Sequence, residues 1–247
     1  MKKYLPLITI FALLLLAGSI LLLDRKKNED RSYVSIVFDD GYTDMHDNVL
    51  PILNEYNISS TFYIIPGLVG EKFEEEKIMD WEQIKELQEQ GHEIGSHSMN
   101  HPRLTKITRK NIISELKSSK EELESRDLTI NSLAIPYGDY NEEIKNIARE
   151  YYSSVRSSDW NYNFFNDIDK YNLKAMVIKN DTRLEEIKSW INNCEKKSWL
   201  ILMYHLVRED KSKEYSTSPE ALEYVIKYIK SKKITIGTVS GVLSMIK

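Results

Sequence analysis

The sequence predicts an α/β domain built as a barrel of about seven β/α units. Three observations predict it. From Tyr33 onward, short apolar β-branched runs alternate with longer segments of helical spacing. The runs are too short for helices and are separated by enough chain for parallel crossovers. Several of them end in an acidic residue or a histidine, and active sites of parallel α/β folds gather at that end of a strand. An open doubly wound sheet is the competing arrangement.

The strand candidates, in order, are 33–38, 60–65, 93–96, 133–135, 174–178, 199–204 and 235–237. Between the second and third, Trp81, Ile84, Leu87 and Gln88 recur at helix-like steps. Between the third and fourth, Ile112, Ile113, Leu116 and Leu123 line one side of a Lys/Glu-rich segment, with Thr108 placed to cap it. Pro219 stands near the start of 220–230, where a first-turn proline belongs.

Composition narrows the function classes. The chain has 247 residues, 41% hydrophobic and 29% charged, which suits a folded domain. Its net charge of -4 is mixed in sign and excludes a basic nucleic-acid surface. The one cysteine, Cys194, forms no intramolecular disulfide and reads as a small buried hydrophobe. A metal bound here must therefore be held by His, Asp or Glu.

Ahead of the barrel, Lys2 and Lys3 precede an uncharged apolar run from Tyr4 to Leu23. That run matches the roughly 20 residues a helix needs to cross a bilayer. Residues 1–24 are expected to be a hydrophobic helix acting as a signal anchor. The small residues Ala17-Gly18-Ser19 keep cleavage as a signal peptide open. Residues 25–32 read as a polar linker, and 33–247 as the catalytic domain. The expected location is extracytoplasmic, membrane-anchored or secreted.

Four motifs carry chemistry. Asp39 and Asp40 follow the first strand in Val37-Phe38-Asp39-Asp40-Gly41, where an Asp-Gly turn is the simpler reading. His97 and His101 are four residues apart in His97-Ser98-Met99-Asn100-His101-Pro102, so one helical turn or a tight loop lets both imidazoles face one ion. His92, on the opposite face of that strand, reads as structural, and His46 as a surface residue. Pro136-Tyr137-Gly138 forms a strand-ending turn able to present a backbone N–H. The run Leu200-Ile201-Leu202-Met203-Tyr204 delivers His205 at its end.

In combination and in this order, the motifs resemble those of the polysaccharide deacetylase family (carbohydrate esterase family four, the NodB-like domain), over roughly Val34 to Val239. The resemblance implies a distorted (β/α)7-type barrel and one divalent metal ion, usually Zn2+. It implies Asp40, His97 and His101 as metal ligands, Asp39 as general base and His205 as general acid. It implies the Tyr137 backbone N–H as oxyanion donor, Leu202 or Met203 beside the acetyl methyl group, and Pro136 and Trp160 among the substrate contacts. The implied reaction removes N-acetyl groups from amino sugars of a peptidoglycan or poly-N-acetylglucosamine type of glycan. The partners are that glycan and, if the N-terminal segment is uncleaved, the membrane.

Two positions depart from the family pattern. Many members carry an arginine, which steers the base, where this chain has Ala134. The chain also keeps only the second half of an Asp-x-x-Asp-Trp motif, in Arg156-Ser157-Ser158-Asp159-Trp160; Asp159 is a candidate to tune His205. The rival readings are a deacetylase or amidase of a small molecule on the same scaffold, and a catalytically silent glycan-binding protein.

Overall fold

The computed structural model describes residues 31–246; the segment expected to form an N-terminal hydrophobic helix, 1–24, and most of the expected linker lie outside the described residues. Nine strands form the main sheet: β1 (Tyr33–Phe38), β2 (Thr61–Ile64), β3 (Glu93–Ser96), β4 (Ser132–Ala134), β5 (Ser154–Arg156), β6 (Asn163–Phe164), β7 (Met176–Val177), β8 (Ser198–Tyr204) and β9 (Thr235–Ile236). Seven helices are α1 (Leu50–Tyr56), α2 (Trp81–Glu89), α3 (Arg109–Glu124), α4 (Glu142–Ala148), α5 (Leu184–Asn192), α6 (Pro219–Ser231) and α7 (Val239–Met245).

Sheet order is β5-β4-β3-β2-β1-β8-β6, with β9 added on β1 and β7 on β8. Every pairing is parallel except β8 with β6. The ring closes through one contact: Leu173, just ahead of β7, bridges Arg156 at the end of β5. β1, β2, β3, β4, β5, β7 and β8 thus make a seven-membered, distorted barrel, as the sequence predicts. Of these, β5 alone had no counterpart among the expected strands, because its single apolar residue, Val155, stands between Ser154 and Arg156.

Strand alternation sorts side chains into two cores. On β8, Trp199, Ile201 and Met203 point into the barrel, with Val37 and Tyr63. Leu200, Leu202 and Tyr204 point outward, against the helices. The helices start where their caps dictate: Asp80 and Gln83 form a capping box on α2, Thr108 caps α3, and Ser218 with Pro219 opens α6. Gly95 is required by proximity, since a Cβ there would lie 2.5 Å from ring atoms of Tyr63.

The N-terminal end of the barrel is plugged. Val239, Val242 and Leu243 of α7 join the inner core. The first turn of α7 donates N–H groups to the Thr61 hydroxyl at 2.9 Å and to the Glu93 carboxylate at 2.8 Å. Only the carboxyl ends of the strands remain for a site.

His92 takes the structural place expected of it. Its Nδ1 accepts the Ser60 N–H at 3.2 Å, and its ring meets Phe62 edge-on. Burial pushes its pKa down to about 4. An unfolded histidine titrates near 6.5, so the unfolded chain binds the proton first as pH falls. The stability contributed by neutral His92 is complete above about pH 6.5 and is lost as pH falls toward about 4. The urea midpoint should drop over that window, and His92→Asn should make the drop shallower; an unchanged slope would contradict a buried neutral imidazole.

Candidate active site

Five strands deliver the polar groups of the open end. Asp39 and Asp40 follow β1, His97 follows β3, the Pro136–Gly138 turn follows β4, Arg156 ends β5, and His205 follows β8. The register that matters is β1 against β8. It pairs Phe38 with Tyr204, so Asp39 and His205 emerge at the same height, and the Asp39 N–H donates to the Tyr204 carbonyl at 3.0 Å.

Backbone strain concentrates here. Asp40, Ser98, His101 and Tyr137 all have positive φ, at 74°, 61°, 58° and 59°. Such values cost energy in non-glycine residues and cluster where side-chain aim matters. The 97–101 segment is therefore a tight loop, pinned by the His101 N–H donating to the Ser98 hydroxyl at 3.0 Å. Gly138 is confined from outside: a Cβ there would meet Ser158 Oγ at 1.7 Å.

Three expected ligands converge. The Nε2 atoms of His97 and His101 are 3.3 Å apart, and they lie 3.5 and 3.4 Å from Asp40 Oδ1. His97 Nδ1 faces the Ala134 carbonyl at 2.8 Å and must be its N–H donor. The neutral ring then presents a bare lone pair at Nε2. Burial, aided by Arg156, pushes the His97 pKa down to about 3; burial and His97 push His101 to about 2. Asp40 Oδ1 is buried without a hydrogen-bond partner among the described residues. Burial and then the Asp39 charge push its carboxyl well above the usual range. Three potential electron-pair donors thus converge on one buried point, an arrangement that suits a cation. Ligands at the usual zinc distance of about 2.1 Å in a tetrahedral array lie about 3.4 Å apart, which the three edges match. The carbonyl bond to His97 is the outer support a metal-binding imidazole usually has.

Asp39 is held differently. Its Oδ2 accepts from Arg156 Nη2 at 2.5 Å, and both side chains are almost fully buried. Arg156 Nη1 also reaches Met203 Sδ and the Ser157 carbonyl, and the guanidinium lies over the Tyr63 ring at 5.2 Å. Sequence reasoning left the partner of Asp39 unnamed. It is Arg156, the register neighbour of Ala134 across β4 and β5. The available signal was an arginine inside a Ser-Val-Arg run shortly after a helix.

His205 Nε2 lies 4.0 Å from Asp39 Oδ2. Its ring packs on Tyr215, and burial lowers its pKa, opposed by the Asp39 charge. Its Nδ1 finds no hydrogen-bond partner among the described residues, and Asp159 instead accepts from Asn172. Tyr137 lines the opening, its ring between His101 and Arg103.

These groups line a cavity of about 440 Å³, with Met203 and Val177 as apolar wall. Three expected contacts fall elsewhere. Leu202 faces the outer core, because alternation on β8 turns Met203 inward instead. Pro136 is buried behind the wall, which Ile135 and Tyr137 form. Trp160 is 60% exposed and packs edge-on against Trp190, outside the cavity lining. The mouth is braced by charge pairs: Arg208 with Asp44 and Glu76, Lys213 with Glu76, and Lys179 with Glu214.

A profile described as polysaccharide deacetylase matches residues 26–154, more than half of the chain. The chain belongs to the polysaccharide deacetylase family. A curated relative, a putative polysaccharide deacetylase of Bacillus subtilis, is 33% identical over 50% of this chain and 43% of its own length. The peptidoglycan-N-acetylglucosamine deacetylase of Listeria monocytogenes is 27% identical over 65% of this chain and 31% of its own. The poly-beta-1,6-N-acetyl-D-glucosamine N-deacetylase of Staphylococcus aureus is 30% identical over 64% and 58%. The chain therefore spans less than two thirds of each of these relatives. Among solved structures, a T48 deacetylase with substrate aligns over 88% of this deacetylase-family chain and 93% of its own, at TM-score 0.63 and 19% identity. A CE4 family pseudoenzyme from Bacillus anthracis aligns over 89% and 66%, at TM-score 0.61 and 15% identity. These likenesses establish the fold.

Removing Arg156 alone should leave Asp39 as a buried, unpaired carboxylate. Arg156→Met is expected to cost about 3–5 kcal/mol in urea unfolding. Adding Asp39→Asn should restore part of that loss. A double variant as unstable as the sum of the two single variants would show that the pair is not coupled.

Proposed function

We propose that this protein is a metal-dependent N-deacetylase of an amino-sugar polymer, of peptidoglycan or poly-N-acetylglucosamine type, acting outside the cytoplasmic membrane. One observation carries the reading: three buried potential ligand atoms converge on one point beside an arginine-held carboxylate, with the His205 Nε2 4.0 Å from that carboxylate's Oδ2. Asp40, His97 and His101 would hold the ion. A divalent cation there, Zn2+ by the His/carboxylate donor set, supplies Lewis acidity that polarises an acetyl carbonyl and makes water more acidic.

The chain's own residues do the rest. Asp39, fixed by Arg156, takes a proton from the attacking water. The water oxygen bonds to the acetyl carbon, and the Tyr137 N–H donates to the carbonyl oxygen as it gains charge. His205 gives a proton to the sugar nitrogen as the C–N bond breaks, leaving acetate and an amine. Met203 and Val177 make an apolar wall suited to the acetyl methyl group. Tyr137 and Tyr215, 45% and 40% exposed, flank an open mouth. That supports a sugar of a polymer over a small molecule enclosed in a pocket. The printed activities of the Listeria and Staphylococcus relatives support the same substrate class. The uncharged run Tyr4–Leu23 supports an anchored or exported location.

Acetate release should be measured on acetylated peptidoglycan, poly-N-acetylglucosamine and chitin oligomers, with metal content determined in parallel. Activity is expected on one of the first two, lost on chelation and restored by Zn2+. Asp39→Asn should keep the metal and lose turnover at least about 100-fold. His97→Ala should lose both. An Asp39→Asn protein with full activity, or a metal-free protein with full activity, would end this reading.

A further inference from the structure

Among the described residues, the most exposed large aromatic side chain lies outside the cavity lining, in a group of four. Trp160 is 60% and Phe164 43% exposed. Along 160–164 the aromatic residues alternate with asparagines; Trp160 and Phe164 are exposed, Tyr162 is half-buried and Asn163 is buried. Trp190 of α5 joins them: its ring meets Trp160 at 6.1 Å, its carbonyl accepts the Tyr162 hydroxyl at 2.9 Å, and Tyr162 packs against Phe164 at 6.2 Å.

The position of this group decides what it fits. Phe164 pairs with Ser198, the first residue of β8, whereas the catalytic groups follow the last residues of the strands. Seven strand residues, about 20 Å, separate the end that Phe164 pairs with from the catalytic end, and Trp160, two residues after the cavity-lining Ser158, lies between. The face also adjoins the point where the chain enters the domain. The Phe165 N–H donates to the Lys197 carbonyl, and the Lys197 N–H donates to the carbonyl of Arg31, the first described residue. Eight residues join Leu23, the end of the apolar run, to Arg31. Fully extended, they span less than about 30 Å.

We infer that the Trp160–Tyr162–Phe164–Trp190 face docks on a phospholipid bilayer and turns the catalytic mouth away from it, toward the cell-wall side. The inference rests on the proposal that Tyr4–Leu23 anchors the chain. Tryptophan and tyrosine favour the headgroup level, where an apolar ring and a polar edge are both satisfied. Lys196, exposed on the adjoining turn, suits anionic headgroups. A glycan fits this face less well, because none of its four residues lines the cavity and Trp160 meets Trp190 edge-on at 82° instead of offering an open platform.

The full chain, reconstituted into vesicles of phosphatidylcholine and phosphatidylglycerol with brominated acyl chains, reports directly. The four tryptophans are Trp81, Trp160, Trp190 and Trp199, and Trp199 is fully buried and serves as reference. Brominated lipid should quench the emission. Trp160→Phe with Trp190→Phe should cut that quenching at least about threefold, and Phe164→Glu, which keeps every tryptophan, should cut it similarly. Unquenched protein that still floats with the vesicles would overturn docking and leave the anchor standing. Protein that does not float would overturn docking and anchor together, while acetate release would judge the deacetylase reading separately. Quenching relieved by N-acetylglucosamine oligomers would reassign the face to glycan and overturn the lipid reading.

Discussion

The site depends on the parallel register of β1 and β8. Six consecutive pairs, Tyr33 with Trp199 through Phe38 with Tyr204, lock the two central strands together. A parallel ladder has no freedom to slip by one residue here, because a slip would exchange the inner and outer faces of a strand buried on both sides. Trp199, Ile201 and Met203 would then meet helices, and Leu200, Leu202 and Tyr204 the barrel interior. Core packing on both faces therefore fixes where Asp39 and His205 emerge. The catalytic spacing is a by-product of hydrophobic burial, with no loop required to hold it.

Adjacent carboxylates pose the electrostatic problem of the site. Asp39 and Asp40 are both buried, and two neighbouring buried anions repel strongly in a medium of low dielectric constant. The chain separates them by geometry. The positive φ of Asp40 turns its carboxylate toward the two histidines, while Asp39 continues toward Arg156. One charge meets a fixed guanidinium; the other is left for a cation. Of the ten buried side-chain polar atoms without hydrogen-bond partners among the described residues, five belong to Asp39, Asp40, His101, Arg156 and His205. Polar groups are rarely left so in a core, and their concentration at one end marks a place built for something besides stability.

Much of this was legible in the sequence, for identifiable reasons. Parallel strands buried on both faces read as apolar runs, so β1, β2 and β8 were visible, and the groups at strand ends followed. His97 and His101 were legible as a pair because their spacing is local. Arg156 was not, because its partner Asp39 is 117 residues away and its strand is three residues long. Leu202 and Met203 were both in view, but only the phase of alternation selects between them, and that phase depends on pairing. Trp160 carried the chemistry of a sugar platform, yet its ring lies against Trp190, on a helix whose sequence pattern had not been read as one.

The arginine is the instructive case. A base-steering arginine at position 134 would project into the barrel from β4. Here that position is alanine, and the guanidinium comes from its register partner on β5. Both residues face inward at the same level, and Ala134 leaves the room that Arg156 fills beside Tyr63 and Met203. The requirement is on the charge beside Asp39, and either strand can meet it. The pseudoenzyme from Bacillus anthracis aligns as well with this chain as the T48 deacetylase does, so backbone likeness does not separate active from silent members. In this chain the charge beside Asp39 is met by Arg156, from one strand over.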